Sequence, residues 1–229
     1  AKFLRLPNGI PSHDTFGRVF ARLDPDKFRS RFMDWVAAIS QITKGQVIAI
    51  DGKTVRGSHD RANGKDAIHM VSAWASANHL VLGQTKVDDK SNEITAIPEL
   101  LEILELSGCI VTIDAMGCQT EIAQRIISKG ADYVLALKEN QGRLYEDVRD
   151  SFACGHRSDF EDVEHDYYEV VNKGHGRIET RRCWSISDRE QLDYINEHKL
   201  WEGLRSVIKV SSQREVGDRV SVETRYYIS

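Results

Sequence analysis

The sequence predicts an α/β fold: a mixed sheet flanked by helices, with a small helical element before it and a β-rich extension behind it. Three observations carry this reading. Short apolar runs ending in a charge or a turn recur as buried-type strands. Two consecutive strand patterns are joined by a tight turn, which implies antiparallel pairing. From Cys109 onward strand and helix patterns alternate, which implies parallel strands with helical crossovers.

Taken in order, residues 1–12 contain Pro7, Gly9 and Pro11 and read as an extended lead-in. Ser12 is placed to cap a short helix carrying Phe16, Val19 and Phe20. Asp24 at an N-cap and Pro25 at the first helical position start a firmer helix. Phe28, Phe32, Trp35, Val36 and Ile39 recur on one face of it. Residues 1–44 are therefore expected to form a helical element, and residues 45–229 the main domain.

The main domain opens with Val47 to Ile50, an apolar run stopped by Asp51-Gly52-Lys53. Ala67 to Ser76 and His79 to Val87 read as a hairpin turning at Ala77-Asn78. A helix carrying Leu100, Leu101 and Leu104 follows, with Pro98 in or before its first turn. Cys109 to Ile113 is a strand running into Asp114. Thr120 to Lys129 is a helix closed by Gly130. Tyr133 to Leu137 is the next strand, and Asn140 is placed to cap a helix with Leu144, Val148 and Phe152. Val163 to Val171 and Arg177 to Ile186 then read as strands about a glycine turn. Ser187 and Glu190 have capping-box spacing before a helix, and Leu204 to Val210 and Val220 to Ile228 close the chain as strands.

Composition excludes several classes. The chain has 229 residues, 41% hydrophobic and 29% charged, which is not a disordered composition. Its longest apolar runs, Trp35 to Ile39 and Tyr133 to Leu137, fall far short of the ~18 residues of a membrane span. No secretion signal is legible after Ala1, and the four cysteines form no CxxC pair, so reduced thiols and a cytoplasmic location are expected. With 31 basic and 35 acidic residues the net charge is −4, which argues against non-specific coating of nucleic acid but allows a local basic groove. P-loop, dinucleotide-fingerprint and nucleophile-elbow motifs are absent.

The chemistry-bearing pattern is a matched pair. Asp51 and Asp114 each close a short apolar strand, with Gly52 and Gly117 soon after. On neighbouring strands, both would reach one crevice at the strands' carboxyl ends. Two close carboxylates repel unless a cation lies between them, and oxygen ligands suit Mg²⁺ or Mn²⁺. Such a site suits phosphodiester chemistry. The plainer alternative is that an aspartate after a strand serves as a turn or cap residue. Glu179 is a third candidate, sharing a strand face with Arg177 and Arg181. That face would bind phosphate through its arginines or be a solvated face of charge pairs. His175 in the preceding turn, Lys138 after the strand ending at Leu137, and Lys53 and Arg56 beyond Asp51 are candidate DNA contacts. Each is equally read as an ordinary surface residue.

Five segments carry a wider resemblance: Leu6 to Phe16 (LPNGIPSHDTF), Ile50 to Ser58 (IDGKTVRGS), Thr112 to Thr120 (TIDAMGCQT), Leu135 to Gln141 (LALKENQ) and His175 to Arg181 (HGRIETR). The chain resembles the H-repeat-associated, transposase-like proteins of bacterial insertion elements, of the DDE transposase type. The resemblance implies a ribonuclease-H-like domain, an acid triad with two divalent cations, and insertion-element DNA ends as partner. It leaves room for a homo-oligomer. Asp51 and Asp114 match the first two acids. In that family the third is a glutamate on a later helix, in a segment resembling HWxIEN. That segment is absent from a chain that stops at Tyr226-Tyr227-Ile228-Ser229. The family also carries more sequence ahead of Phe3, so the chain is expected to be truncated and catalytically incomplete. A DNA- or protein-binding remnant and a metal-dependent nuclease are the alternatives.

Overall fold

The computed structural model describes residues 9–39, 44–56, 58, 67–87, 93–174 and 176–229. The chain divides into two compact units, Ala1–Gln41 and Ile42–Ser229. In the first, α1 (His13–Phe20) is capped by Ser12, whose side chain accepts from the Thr15 N–H. The helix α2 (Pro25–Ile39) starts at Asp24, whose Oδ1 accepts from the N–H groups of Asp26 and Lys27. Both starts are those the capping signals predict.

In the second unit, nine strands among the described residues form one sheet. They are β1 (Val47–Thr54), β2 (His69–Ala75), β3 (Leu80–Val87), β4 (Ile110–Ile113), β5 (Asp132–Leu137), β6 (His165–Gly174), β7 (Arg177–Ile186), β8 (Val207–Val216) and β9 (Arg219–Ile228). The helices are α3 (Glu93–Glu102), α4 (Thr120–Ser128), α5 (Gly142–Arg157) and α6 (Arg189–Ile195). The sheet order is β3-β2-β1-β4-β5-β9-β8-β7-β6. Strands β1, β2 and β3 are antiparallel neighbours, and β1, β4 and β5 are parallel. This five-strand half is a ribonuclease-H-like sheet, and β6–β9 extend it as an antiparallel arm.

Strand alternation sorts the sheet into two faces. One carries Ile48, Ile50, Val111, Ile113, Leu135, Leu137, Ile228, Val207 and Ile186, all buried, and is the core face. Phe152 of α5 meets Tyr226 on this face, and Ile122 and Ile126 of α4 add to the core. The other face carries Ala49, Asp51, Thr112, Val134, Ala136 and Tyr227 in register. From the level of Leu137, where β5 ends, the arm runs on from Tyr226 to Arg219. Seven residue steps at strand rise take it about 23 Å past the carboxyl ends of the parallel strands.

Several sequence expectations shift, each for a physical reason. β1 does not stop at Asp51: its pairing with β4 ends at Ile50, while β2 stays hydrogen-bonded to it as far as Thr54. Pro98 lies inside α3, not at its start. The cap of α6 is Asp188, which accepts from Gln191 N–H at 3.0 Å, in place of Ser187. Asn140 does not cap α5 but sits in a 3₁₀ turn before it (Glu139–Gln141). β8 and β9 outrun their apolar cores, because much of the arm is exposed and its ends carry no burial pattern to read. Among the described residues no helix is long and apolar enough to cross a membrane.

The arm is tied to α5 by a polar contact in an aromatic setting. Lys209 Nζ lies 2.8 Å from His156 Nε2, and the His156 ring meets Trp184 edge-on at 4.8 Å. Burial first, and the Lys209 charge second, hold the His156 pKa below its ordinary 6.5. The unfolded chain then takes up this proton first as pH falls. The contribution to stability is therefore full above pH 6.5 and lost as pH drops through the lowered folded value. NMR titration should place the His156 midpoint below 6.5, and Lys209→Met should bring it only part of the way back, since burial remains.

Candidate functional site

Parallel pairing of β1 with β4 ends at Ile50↔Ile113, so the next residue on each strand is Asp51 and Asp114. Asp51 follows the alternation of Ala49, on the face opposite the core. Asp114 keeps an extended backbone (φ −69°, ψ 177°) and so leaves on the same face as Thr112. On β5, Ile113↔Leu135 puts Ala136 at the same level, a small side chain that leaves room beside the carboxylates.

Both carboxylates are exposed. Asp51 takes no hydrogen bond or ion pair among the described residues. Asp114 caps a 3₁₀ turn (Ala115–Gly117): its Oδ1 accepts from Met116 N–H at 3.1 Å and Gly117 N–H at 3.4 Å. Its second oxygen has no partner among the described residues. The cap reading and the ligand reading of Asp114 are thus compatible, since capping uses one oxygen of two. Gly117 is held tightly, and a Cβ there would lie 2.3 Å from Ile113 Cγ2.

Lys138 follows β5 with an extended backbone and joins Asp114 in a cavity of about 780 Å³. Asn140, Tyr145, Glu223 and Arg225 also line it. Tyr145 and Tyr226 pack edge to face at 5.6 Å, closing the cavity against α5. Glu223 is held by Arg225, at 2.9 and 3.1 Å. Lys53 shares the face of Asp51, two residues on, and Arg56 lies in the exposed turn after β1. His175 lies outside the described residues.

Glu179 is not brought to this pair. It sits on β7, four strand spacings from β4, or about 19 Å across a flat sheet. Arg177 and Arg181 bind its carboxylate at 3.0 and 3.2 Å, and Arg214 of β8 approaches to 4.0 Å. No group of three or more His, Cys, Asp or Glu among the described residues could hold a metal ion. Strand order, not sequence spacing, decides the neighbours of Glu179, and on β7 these are arginines.

Register also reveals what the sequence did not. Arg177, Arg181, Arg214, Arg219 and Arg225 all lie on the face that carries Asp51 and Thr112, against the acids Asp166, Glu179 and Glu223. Arg214, Arg219 and Arg225 carried no signal of their own, because their common face depends on pairing between distant strands. All four cysteines are free. Burial pushes the Cys118 thiol up to about 12, so it is no nucleophile at neutral pH. Among the tryptophans, Trp201 is buried, whereas Trp35 and Trp74 are exposed.

Residues 42–207 match the transposase DDE domain family, and residues 1–36 match the domain associated with it. An uncharacterised protein from the dhlA 3′ region of Xanthobacter autotrophicus is 45% identical over all of this chain and 75% of its own length. A putative transposase, YncI, of Escherichia coli O157:H7 is 44% identical over 100% of this chain. The H repeat-associated putative transposase YhhI of E. coli K12 is 42% identical over 97%. The chain spans only 58% of the length of each of these last two. A piggyBac transposase synaptic complex with hairpin DNA aligns with 82% of this chain and 33% of its own, at a TM-score of 0.39 and 10% identity, too slight a likeness to argue from.

The packing of the Asp114 turn gives a direct test. Gly117→Ala should destabilise the second unit by about 1–3 kcal/mol through overpacking against Ile113. Urea unfolding reads this as a lowered midpoint with unchanged slope. A neutral substitution would contradict the close packing.

Proposed function

The chain belongs to the transposase DDE domain family, and on that premise we propose that it is a DNA-processing domain of transposase type. The observation that carries the reading is the in-register placement of Asp51 and Asp114 at the ends of the β1–β4 pairing. Two exposed carboxylates on rigid neighbouring strands form a hard oxygen donor set that fits a divalent cation such as Mg²⁺ or Mn²⁺. Asp51 and Asp114 would hold such an ion, which when bound would supply activation of an attacking hydroxyl and stabilisation of the leaving oxygen of a phosphodiester.

The chain's own residues supply the remaining parts. Lys138 lines the same cavity as Asp114, where its charge would offset that of phosphate. The arginine face of the arm continues from the same face of the sheet and would bind the DNA backbone, with insertion-element ends as the proposed substrate. Glu179 serves this face: its charge spaces and orients Arg177 and Arg181. With two carboxylates in place and no third beside them among the described residues, metal binding by this chain is expected to be weak and cleavage slow. A cytoplasmic location and self-association belong to the same proposal.

Binding of duplex DNA, followed against salt with Mn²⁺ present, tests both halves. Arg214→Ala and Arg219→Ala should each weaken binding and reduce the log–log salt slope by about one. Asp51→Asn and Asp114→Asn should each weaken Mn²⁺ uptake while leaving that slope unchanged. Wild-type slopes in both arginine variants, or wild-type Mn²⁺ affinity in both aspartate variants, would sink the corresponding half.

A further inference from the structure

We propose that Asn140 and Gln141 are positioning residues, clamping the turn that carries Asp114 so that one carboxylate oxygen is held inward and the other is presented outward. The proposal rests on the reading of Asp114 as a metal ligand. Asp114 Oδ1 is spent on the N–H groups of Met116 and Gly117, which fixes the side chain only as firmly as the turn itself is fixed. That turn is three residues of 3₁₀ helix, closed by Gly117 N–H to Asp114 O at 3.1 Å and Cys118 N–H to Ala115 O at 3.4 Å. Turns of this kind have poor hydrogen-bond geometry and hold little on their own.

Two side chains from the 3₁₀ turn after β5 brace it from outside. Asn140 Nδ2 donates to Ala115 O at 2.9 Å, and Gln141 Nε2 donates to Cys118 O at 2.5 Å. The contacts fall on the turn's first residue and on the residue just past its last, so they bracket it. A carbonyl only accepts, so each contact requires a donor, which the amide nitrogen supplies and an ionised Asp or Glu lacks. Neither side chain is occupied by its own helix: Gln141 is the N-cap of α5 but makes no side-chain cap bond. From the other side Gly117 packs against Ile113 and Ile97, so the turn is wedged between core and clamp. Ligands held indirectly in this way depend on their outer partners for affinity. The clamp gives the two segments TIDAMGCQT and LALKENQ one shared task.

The test uses the full 229-residue chain, its Asn140→Ala and Gln141→Ala variants, Mn²⁺ alone as ligand, and amide hydrogen exchange without metal. Each variant should speed exchange at Met116 and Gly117 by about tenfold or more, with α4 and the unfolding midpoint unchanged. Each should also weaken Mn²⁺ binding by about tenfold. Wild-type protection of both amides in both variants would overturn the clamp. A loosened turn with undiminished Mn²⁺ affinity would overturn its positioning role. A wild type that takes up no Mn²⁺ would sink the ligand reading alone, and the exchange comparison would still decide whether the two amides hold the turn.

Discussion

The proposed metal site depends on one register, the parallel pairing of β1 with β4 that ends at Ile50↔Ile113. Shifted by a single residue, it would separate Asp51 from Asp114 along the strands. The register is enforced by the core. Ile48, Ile50, Val111 and Ile113 are each at most 5% exposed, and a one-residue slip would turn a strand's isoleucines and valines away from the helices. The position of two exposed carboxylates is thus set by residues on the other face of the sheet. Apolar burial supplies the energy, and β-pleat alternation converts it into placement.

Charge is arranged differently in the two halves of the sheet. Near the strand ends, Asp51 and one oxygen of Asp114 are left without a partner among the described residues. On the arm, acids are matched: Glu179 lies among Arg177, Arg181 and Arg214, and Glu223 is bound by Arg225. Exposed pairs of this kind add little stability. Their effect is to orient guanidinium groups on a face that still carries more arginines than acids, in a chain whose net charge is −4. A mildly acidic protein can in this way present a local basic surface.

The parallel half of the fold was legible because its strands are buried on one face and bounded by turn residues, so period and punctuation agree. The pair Asp51 and Asp114 was legible for the same reason, each standing where an apolar run stops. What escaped were relations between elements. Glu179 shares a motif with Arg177 and Arg181, and the motif reads correctly as a strand face, but only sheet order places that face four strands from β4. Asn140 looks like a helix cap in sequence. Its amide in fact reaches back 25 residues to Ala115, a contact that no local spacing encodes. Much of the arm is exposed, so the full lengths of β8 and β9 left little apolar pattern to read.

The central claim is that Asp51 and Asp114 donate oxygen to the same cation, and a metal-specificity exchange tests it most directly. Thiolate ligands favour softer, thiophilic metals, whereas carboxylates favour Mn²⁺. Asp51→Cys and Asp114→Cys should therefore each lose Mn²⁺ affinity and gain affinity for Cd²⁺, measured calorimetrically against the wild-type chain. The double variant should bind Cd²⁺ more tightly than either single one. If both single variants keep the wild-type metal preference, the two aspartates do not share a cation, and the β1–β4 register carries no metal site.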